Sequence, residues 1–217
     1  MRGLSRIGII VATAAILFAG SVAPAQADII VITGVNNQGT DNVLLNSSTD
    51  VLTVTGTVGP DNLLVNFTST SGSGLLSANP SGQATIGGGT GNTPYTDLTF
   101  GLADDALFTR AVFNINAATD GSALIHVEGV NIVGGFFEDD FTVDANGQNF
   151  FTVTAINGQM ISSISLTGIN GAVFEDVRQV RIGGGVANPT AVPEPASMVL
   201  LGAGLTALAA RRRRTKA

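Results

Sequence analysis

Ala111-Val-Phe-Asn-Ile-Asn-Ala117 and Ala123-Leu-Ile-His-Val-Glu128 are the two stretches that decide the fold of this 217-residue chain. In each stretch every second side chain is apolar, a period of two that is typical of a β-strand with one buried face. Asp120-Gly121-Ser122 lies between them and has the composition of a tight turn. The two stretches therefore predict successive strands separated by a turn.

The same alternation recurs between residues 28 and 182. It is seen at residues 52–58, 63–68 and 151–155, and turn-type pairs such as Asn170-Gly171 separate the runs. About eleven short strands at this spacing predict an all-β fold, a single antiparallel β-sandwich or jelly-roll-like domain. We expect this ectodomain to span residues 28–182.

Few parts of the middle depart from the strand pattern. Residues 104–108 could form one helical turn at most, and the glycine-rich residues 87–92 are expected to be a mobile loop. Residues 183–191 are predicted to be a linker. Residues 41–46 and 61–66 are similar to each other. We interpret them as two similar segments of one sandwich, because a solenoid needs three or more repeats.

Composition excludes several chemistries. The chain has no Cys and a single His, so disulfides, Cys-ligated metals, thiol nucleophiles and multi-histidine metal sites are ruled out. Between residues 28 and 192 there are fifteen carboxylates against three arginines and no lysine, a net charge of −12. Such a surface repels phosphate backbones, and we expect no nucleic-acid partner.

The amino terminus has the three-part plan of a secretory signal peptide, predicted over residues 1–27. Arg2 and Arg6 precede an apolar run at residues 7–19, and the segment ends with Ala25-Gln26-Ala27. Thirteen apolar residues are too few for a comfortable membrane span, and signal peptidase accepts small residues such as Ala25 and Ala27. We therefore expect cleavage by signal peptidase after Ala27.

The carboxyl terminus carries a second targeting signal. Pro193-Glu194-Pro195 is followed by an apolar run at residues 198–210 and by the basic residues Arg211, Arg212, Arg213 and Arg214. This order resembles the PEP-CTERM sorting signal over residues 192–217. The resemblance implies export through the inner membrane of a Gram-negative bacterium and recognition of the Pro-Glu-Pro motif by the membrane protease exosortase. It also implies loss of the tail and an association with exopolysaccharide.

Elementary physics agrees with the resemblance. The two prolines have fixed φ and no N–H, which keeps the motif extended, as a peptide entering a protease groove must be. A helix over residues 196–210 would be about 22 Å long, shorter than the roughly 30 Å hydrocarbon core, so it is a marginal and transient anchor in the inner membrane. The four arginines hold the tail in the cytoplasm by the positive-inside rule.

The inventory of side chains argues against catalysis. A Ser-His-Asp triad would have to use His126, which lies mid-strand on the face shared with Glu128, and no Gly-x-Ser-x-Gly motif is present. A glycosidase needs only two carboxylates, and Glu128, Glu138 or Glu175 could take part in such a pair. Sugar-binding enzymes usually offer aromatic platforms, whereas this chain has no Trp and only Tyr95. We therefore assign no catalytic residue, and a carboxylate-based glycoside hydrolase or polysaccharide lyase remains the remote alternative.

Calcium is the one cofactor that the sequence leaves open. Oxygen ligands are concentrated in a short span that includes Glu138, Asp139, Asp140, Asp144 and Asn146. Smaller groups occur at residues 104–105 and 175–176. Hard Ca²⁺ needs six to eight oxygens, and the loop that starts at Asp144 has Ala155 where an acidic twelfth ligand belongs. Solvated turns are the favoured interpretation, and we assign no metal ligand and no cofactor.

The last strand pair adds a second, loose resemblance. Residues 161–182 are similar to the end of many PEP-CTERM ectodomains and of jelly-roll carbohydrate-binding modules. From the residues themselves, Val180 and Ile182 are expected to face the core. Arg178 and Arg181 lie among carboxylates and are expected to pair with Glu175 or Asp176.

These observations predict an exported surface or extracellular-matrix protein that associates with exopolysaccharide and has no catalytic activity of its own. Phe136, Phe137 and Phe141 flank the acidic span and are candidates for exposed aromatic contacts. Together with that span they keep a calcium-assisted carbohydrate-binding module open as the alternative function.

Processing of the carboxyl terminus gives the first testable prediction. In the native host, mass spectrometry of the surface protein should find a chain that ends near Pro193-Glu194-Pro195 and lacks the arginine tail. Glu194→Ala should leave a membrane-retained, unprocessed form, while Glu175→Ala serves as the control that is processed normally. A wild-type surface protein that still ends at Ala217 would contradict the prediction.

Overall fold

The computed structural model describes residues 29–70, 74–80, 85–90, 93–132, 134–145 and 147–187. Those residues form fifteen strands and no helix, so the predicted all-β class is confirmed. About eleven strands were expected, and the additional ones include the two-residue strands β2 and β3, which are too short to show a period in the sequence. The strands are β1 Ile29–Thr33, β2 Asp41–Asn42, β3 Leu44–Leu45, β4 Ser48–Val51, β5 Thr53–Val58, β6 Leu63–Thr68, β7 Leu76–Asn79, β8 Thr85–Gly88, β9 Asp97–Leu102, β10 Arg110–Thr119, β11 Gly121–Val130, β12 Phe136–Val143, β13 Asn149–Ala155, β14 Met160–Ile169 and β15 Val173–Gly183.

Two antiparallel sheets make up the described fold. The eight-stranded sheet has the order β1-β13-β10-β15-β8-β7-β4, with β2 pairing β15 beside this path. The seven-stranded sheet has the order β12-β11-β14-β9-β6-β5-β3. Residues 111–117 lie in β10 and residues 123–128 lie in β11, and these two strands belong to different sheets. The turn at Asp120 therefore carries the chain from one layer of the sandwich to the other.

The core lies between the sheets and follows the period of two. In β10 the expected inward residues Ala111, Phe113, Ile115 and Ala117 are all buried, as are Ala123, Ile125 and Val127 in β11. Val180 and Ile182 of β15 are buried as predicted. Six phenylalanines are among the largest fully buried side chains: Phe67, Phe100, Phe108, Phe113, Phe151 and Phe174.

Three local expectations are corrected. Residues 87 and 88 belong to β8 rather than to a mobile loop, because Leu76↔Gly88 and Ser77↔Gly87 pair with β7. Leu52 does not continue the buried face of β5, since it precedes the strand and its side chain is 67% exposed. Residues 104–108 form a turn in which Asp104 has a positive φ, not a helical turn.

The predicted signal peptide and the predicted carboxyl-terminal sorting signal both lie outside the described residues, as do residues 91–92 and Asn146. Within the described ranges, no helix has the length and apolarity that a bilayer crossing requires. The first residues of the predicted linker are paired with the domain, because β15 continues to Gly183 and Val186 exchanges backbone hydrogen bonds with Leu107.

One half of the outer face of the eight-stranded sheet is covered by the chain between β1 and β2. Thr152 of β13 accepts a hydrogen bond from Asn36 N (3.0 Å) and donates one to Gly34 O (2.9 Å). Beside it, Val112 and Asn114 of β10 are almost fully buried although they point away from the core. The half that this segment leaves open, over β15, β8, β7 and β4, is where the candidate site described below lies.

Tyr95, the only tyrosine, belongs to the core and is not a surface aromatic platform. Its hydroxyl donates to Ile86 O at 2.8 Å, and its ring meets Phe174 edge to face at 6.1 Å. Burial, reinforced by the negative charge of Asp176, raises the pKa of Tyr95 far above its ordinary value. The folded state therefore holds this proton more tightly than the unfolded chain.

The second prediction concerns alkaline stability. Below about pH 10 both states keep the tyrosine proton, and above it only the unfolded chain loses it, so the free energy of unfolding should fall as pH rises. Tyrosinate absorbance, which reports on Tyr95 alone, should appear together with unfolding and not before it. Tyr95→Phe should cost about 1 kcal/mol at neutral pH and should flatten the loss of stability above pH 10. Tyrosinate absorbance that rises while the fold remains intact would contradict this account.

Candidate functional site

None of the residues assigned to sorting falls in the described part of the chain. Ala25 and Ala27 of the signal, Pro193, Glu194 and Pro195 of the motif, and Arg211, Arg212, Arg213 and Arg214 of the tail all lie outside it. The structure therefore bears on the candidates of the ectodomain. These are distributed over both sheets and the turns that join their strands.

His126 lies among acidic groups on the outer face of the seven-stranded sheet. Its Nδ1 is 2.9 Å from Glu138 Oε2, and its Nε2 is 3.6 Å from Glu128 Oε1. Phe136 stacks on the imidazole with ring centroids 4.8 Å apart, and Phe136 is 52% exposed. The sequence placed Glu128 beside His126. Glu138 was missed as a partner because the sequence pattern does not give the hairpin register that places it opposite His126.

This arrangement does not make a nucleophilic triad. The nearby Ser163 hydroxyl lies 3.3 Å from Glu128 Oε2, while Ser165, opposite His126 in the register, bonds the Thr99 hydroxyl at 2.8 Å. Neither contact presents a serine to the imidazole, which a general base must reach. The three glutamates considered for a carboxylate pair are also divided, because Glu128 and Glu138 are on this sheet and Glu175 is on the other.

Strand alternation separates the acidic span considered for calcium. Glu138 and Asp140 pair with His126 and Leu124, whereas Asp139 pairs with the buried Ile125 and so lies on the opposite side of β12. Asp144 uses its backbone to bond Asn149. The described ranges contain no group of three His, Asp or Glu side chains placed to hold a metal ion.

The acidic edge strand also bears the three candidate aromatics. Phe136 is exposed, while Phe137 and Phe141 are half-buried and pack against the core. Asp139 stands between those two rings as an inward-pointing charge on an edge strand, a device that discourages pairing with another chain.

Small polar side chains cross the outer face of the seven-stranded sheet in two rows, which we call the hydroxyl face. Its members are unburied, whereas the residues between the two rows, Val54, Phe67, Phe100, Val127 and Ile164, are buried. In register order one row is Glu128, Ser163, Gly101, Asn66 and Thr55, and the other is His126, Ser165, Thr99, Thr68 and Thr53. With adjacent strands about 4.8 Å apart, the rows extend about 19 Å from β11 to β5.

Gly101 keeps the middle of this face flat. A Cβ at this position would lie 2.4 Å from Ser162 O, so even alanine would push the neighbouring strand. Gly101 is itself only partly buried, and Ser163 and Asn66 flank it in its row.

A cleft of about 410 Å³ occupies the open half of the outer face of the eight-stranded sheet, and we call it the Ser77 cleft. Its floor and walls carry short polar side chains on β4, β7, β8 and β15. They include Ser48, Ser77, Asn79, Thr85, Thr90, Glu175 and Asp176. The Ser48 hydroxyl has no hydrogen-bond partner among the described residues although the oxygen is sealed from solvent.

One wall of the Ser77 cleft depends on an irregularity in β15. The register between β10 and β15 shifts near Asn116, so the consecutive residues Glu175 and Asp176 both stay unburied instead of alternating. Asn116 Nδ2 donates to Glu175 Oε2 and Asp176 Oδ2, each at 2.9 Å. The periodicity of the sequence contains no signal for this bulge.

Arg178 completes that wall as predicted. Its Nε and Nη2 donate to the two oxygens of Asp176, each at 2.6 Å, and this pairing raises the pKa of the guanidinium. Within the described ranges, Arg181 donates to no carboxylate. It donates instead to the Thr40 hydroxyl, Thr40 O and Asn42 Oδ1, because β2 lies beside it in the sheet.

The opposite wall is held by Asp50. Its carboxylate accepts hydrogen bonds from both the backbone N–H and the hydroxyl of Thr90, and its own N–H donates to the Ser77 hydroxyl at 3.2 Å. Gly89 makes this approach possible, since a Cβ there would lie 2.6 Å from Asp50 Oδ1. The residues expected to form a mobile loop thus fix one side of the cleft.

Comparison with known proteins identifies the carboxyl-terminal signal. Residues 191–214 match the PEP-CTERM protein-sorting motif, which confirms the resemblance and marks the chain as an exported protein sorted by exosortase. No curated protein matches the chain. Among solved structures it is similar to a family 29 carbohydrate-binding module from Piromyces equi, with 12% identity, a TM-score of 0.29, and coverage of 73% of this chain and 90% of that chain.

The third prediction tests the Asp50 wall. Asp50 has a φ of 55°, a left-handed conformation that asparagine tolerates, so Asp50→Asn should keep the backbone while losing one acceptor for Thr90. We expect about 1 kcal/mol of destabilisation and faster amide exchange across residues 85–90. Asp104→Asn is the matched control, because Asp104 is an exposed aspartate with a φ of 56°. Equal effects of the two variants would show that the carboxylate of Asp50 does not hold this wall.

Proposed function

Because the chain carries a PEP-CTERM sorting motif, we propose that its mature domain is a non-catalytic surface or matrix protein that associates with exopolysaccharide through the hydroxyl face. The sorting motif provides export, a transient stay in the inner membrane and release by exosortase. Signal peptidase would remove the amino-terminal segment. The domain left outside the cell is acidic and built from strands.

The observation that carries this proposal is the pair of small polar rows across the seven-stranded sheet. Side chains such as Ser163, Thr99 and Thr68 can donate and accept hydrogen bonds, as sugar hydroxyls do. Their spacing across strands, about 4.8 Å, is close to the length of one pyranose unit in an extended chain. A polysaccharide laid across the strands therefore meets a new polar side chain at each sugar.

The aromatic end of the hydroxyl face supports the same ligand. Phe136 is held by stacking on His126, which is in turn fixed by Glu138, so an exposed ring is presented with little side-chain freedom to lose. The face of an aromatic ring suits the apolar C–H face of a sugar, and the adjacent carboxylates accept hydrogen bonds from its hydroxyls. The chain thus has one aromatic platform despite its lack of Trp.

Charge favours an uncharged polymer. The segment from residue 28 to 192 carries −12, and Glu128 and Glu138 lie at the end of the hydroxyl face itself. Uronic-acid or phosphate polymers would meet this field with like charge. The contacts available to a neutral chain are many and individually weak, which suits a matrix protein better than a catalyst.

The fourth prediction tests the hydroxyl face with the full-length protein. Thr68→Glu should weaken co-sedimentation with insoluble neutral glucan by about 2- to 10-fold, because it removes a hydroxyl contact and adds charge near the centre of the rows. Thr33→Glu is the matched control, since Thr33 is also an exposed strand threonine but lies in the other sheet. Equal loss in both variants, or no binding by the unmodified protein, would refute the proposal.

Two arms of this experiment address the alternatives. Binding that disappears with a calcium chelator would favour a calcium-assisted carbohydrate-binding module, the second candidate. Shortened or unsaturated sugar products would reveal a glycoside hydrolase or polysaccharide lyase. Either result would replace the non-catalytic matrix function with that activity.

A further inference from the structure

The Ser77 cleft differs from the hydroxyl face in shape and position. It is concave, whereas the hydroxyl face is a flat pair of rows. It lies on the outer face of the eight-stranded sheet, and the hydroxyl face lies on the outer face of the seven-stranded sheet. Since the two sheets pack through their inner faces, these surfaces point in opposite directions.

The lining of the cleft selects a polar, uncharged ligand. Ser77 and Thr85 are among the residues that line it, and Glu175 supplies an exposed carboxylate. Its volume, about 410 Å³, is within the range of small-molecule sites. Ala78 is the one apolar side chain among the described lining residues, so an apolar ligand would gain little here.

Charge at the cleft excludes anions. Glu175 and Asp176 share one wall, and Arg178 is engaged by both oxygens of Asp176 and so leaves no uncompensated positive charge for an acidic group. Asn116 holds one oxygen of Glu175, which fixes the carboxylate at the rim. A fixed carboxylate is a good acceptor for the two vicinal hydroxyls of a neutral sugar.

The walls are preorganised for such a ligand. Asp50 ties β4 to Thr90, and the Asn116, Asp176 and Arg178 contacts tie β15 to β10. A site whose polar groups are already held loses less entropy when the ligand binds.

We propose that the Ser77 cleft is a second saccharide-binding site, specific for uncharged sugar residues. With the hydroxyl face on the opposite side, it makes the domain a cross-linker of neutral polysaccharide. The inference rests on the proposed function only for the class of ligand. The two surfaces share no residue, so each can be removed without changing the other.

The test uses the full-length protein with two defined probes: a neutral glucan hexasaccharide for binding, and a soluble neutral glucan for cross-linking, followed by light scattering. Thr85→Glu places a charge in the cleft, and Glu175→Gln removes the acceptor while keeping its shape. We expect each to weaken hexasaccharide binding at this site by about tenfold and to abolish the rise in scattering, while co-sedimentation with insoluble glucan persists. Thr85→Ser, which keeps the hydroxyl, is the matched control and should behave as the unmodified protein.

Thr68→Glu on the hydroxyl face separates the two hypotheses. It should also abolish cross-linking while leaving hexasaccharide binding in the cleft intact. If neither cleft variant changes hexasaccharide binding or scattering, the cleft inference is overturned while the proposed function stands. If a uronic-acid hexasaccharide binds more tightly than the neutral one, the charge argument is wrong and the inference falls with it. If the unmodified protein binds no glucan in any form, the proposed function fails as well.

Discussion

Contact between phenylalanine rings across the sandwich is the interaction on which the rest of the structure depends. Phe100 of the seven-stranded sheet meets Phe113 of the eight-stranded sheet at 5.6 Å, and Phe141 meets Phe151 in the same way at 5.6 Å. Phe113 and Phe151 are themselves 5.8 Å apart, so the two inter-sheet contacts form one cluster. Because the chain has no cysteine, no disulfide can add to the stability that this apolar core provides. The sheets stay together through buried apolar area alone, and edge-to-face rings add a modest directional preference.

Because this core provides the packing, the side chains on the outer faces of the sheets are not needed for it and can serve binding. Each strand places half its side chains inside, and that half already supplies the packing that holds the domain together. The outer positions can then be threonine, serine and asparagine without loss of the fold, because β-branched and small polar residues suit a pleated surface. The edges are protected in different ways. β12 carries charges that include the inward-pointing Asp139, β4 is bent by a register shift and by the positive φ of Asp50, and β3 has only two residues. At these three edges, charge, bending and short length oppose pairing with another chain.

The sequence predicted those features that depend on local periodicity and missed those that depend on long-range register. Alternation was enough to assign the buried face of β10, including Phe113, and to place Val180 in the core. It could not place Glu138 against His126, because that contact depends on how β12 pairs with β11. It also could not reveal that Glu175 and Asp176 share one side of β15, since a bulge leaves no periodic trace. The glycine content was misleading at Gly88 and Gly89. Such a run predicts a flexible loop, whereas a Cβ on Gly89 would lie 2.6 Å from Oδ1 of Asp50, thirty-nine residues away in the chain. The two candidate binding surfaces are therefore products of the pairing of strands, and only their polar composition was visible beforehand.

The end of the domain links this architecture to sorting. Val186 is still paired with Leu107, and the PEP-CTERM match begins at residue 191. From Val186 to the start of the apolar run at residue 198 is twelve residue steps, which span at most about 43 Å of fully extended chain. An uncleaved protein would therefore keep the domain within that distance of the bilayer, which restricts the approach of a long polymer to its outer faces. On the proposed function, cleavage at the motif then does more than release an anchor. It frees both outer faces of the sandwich at once, and a domain with surfaces on opposite sides can contact two polymer chains only when neither side is held at the membrane.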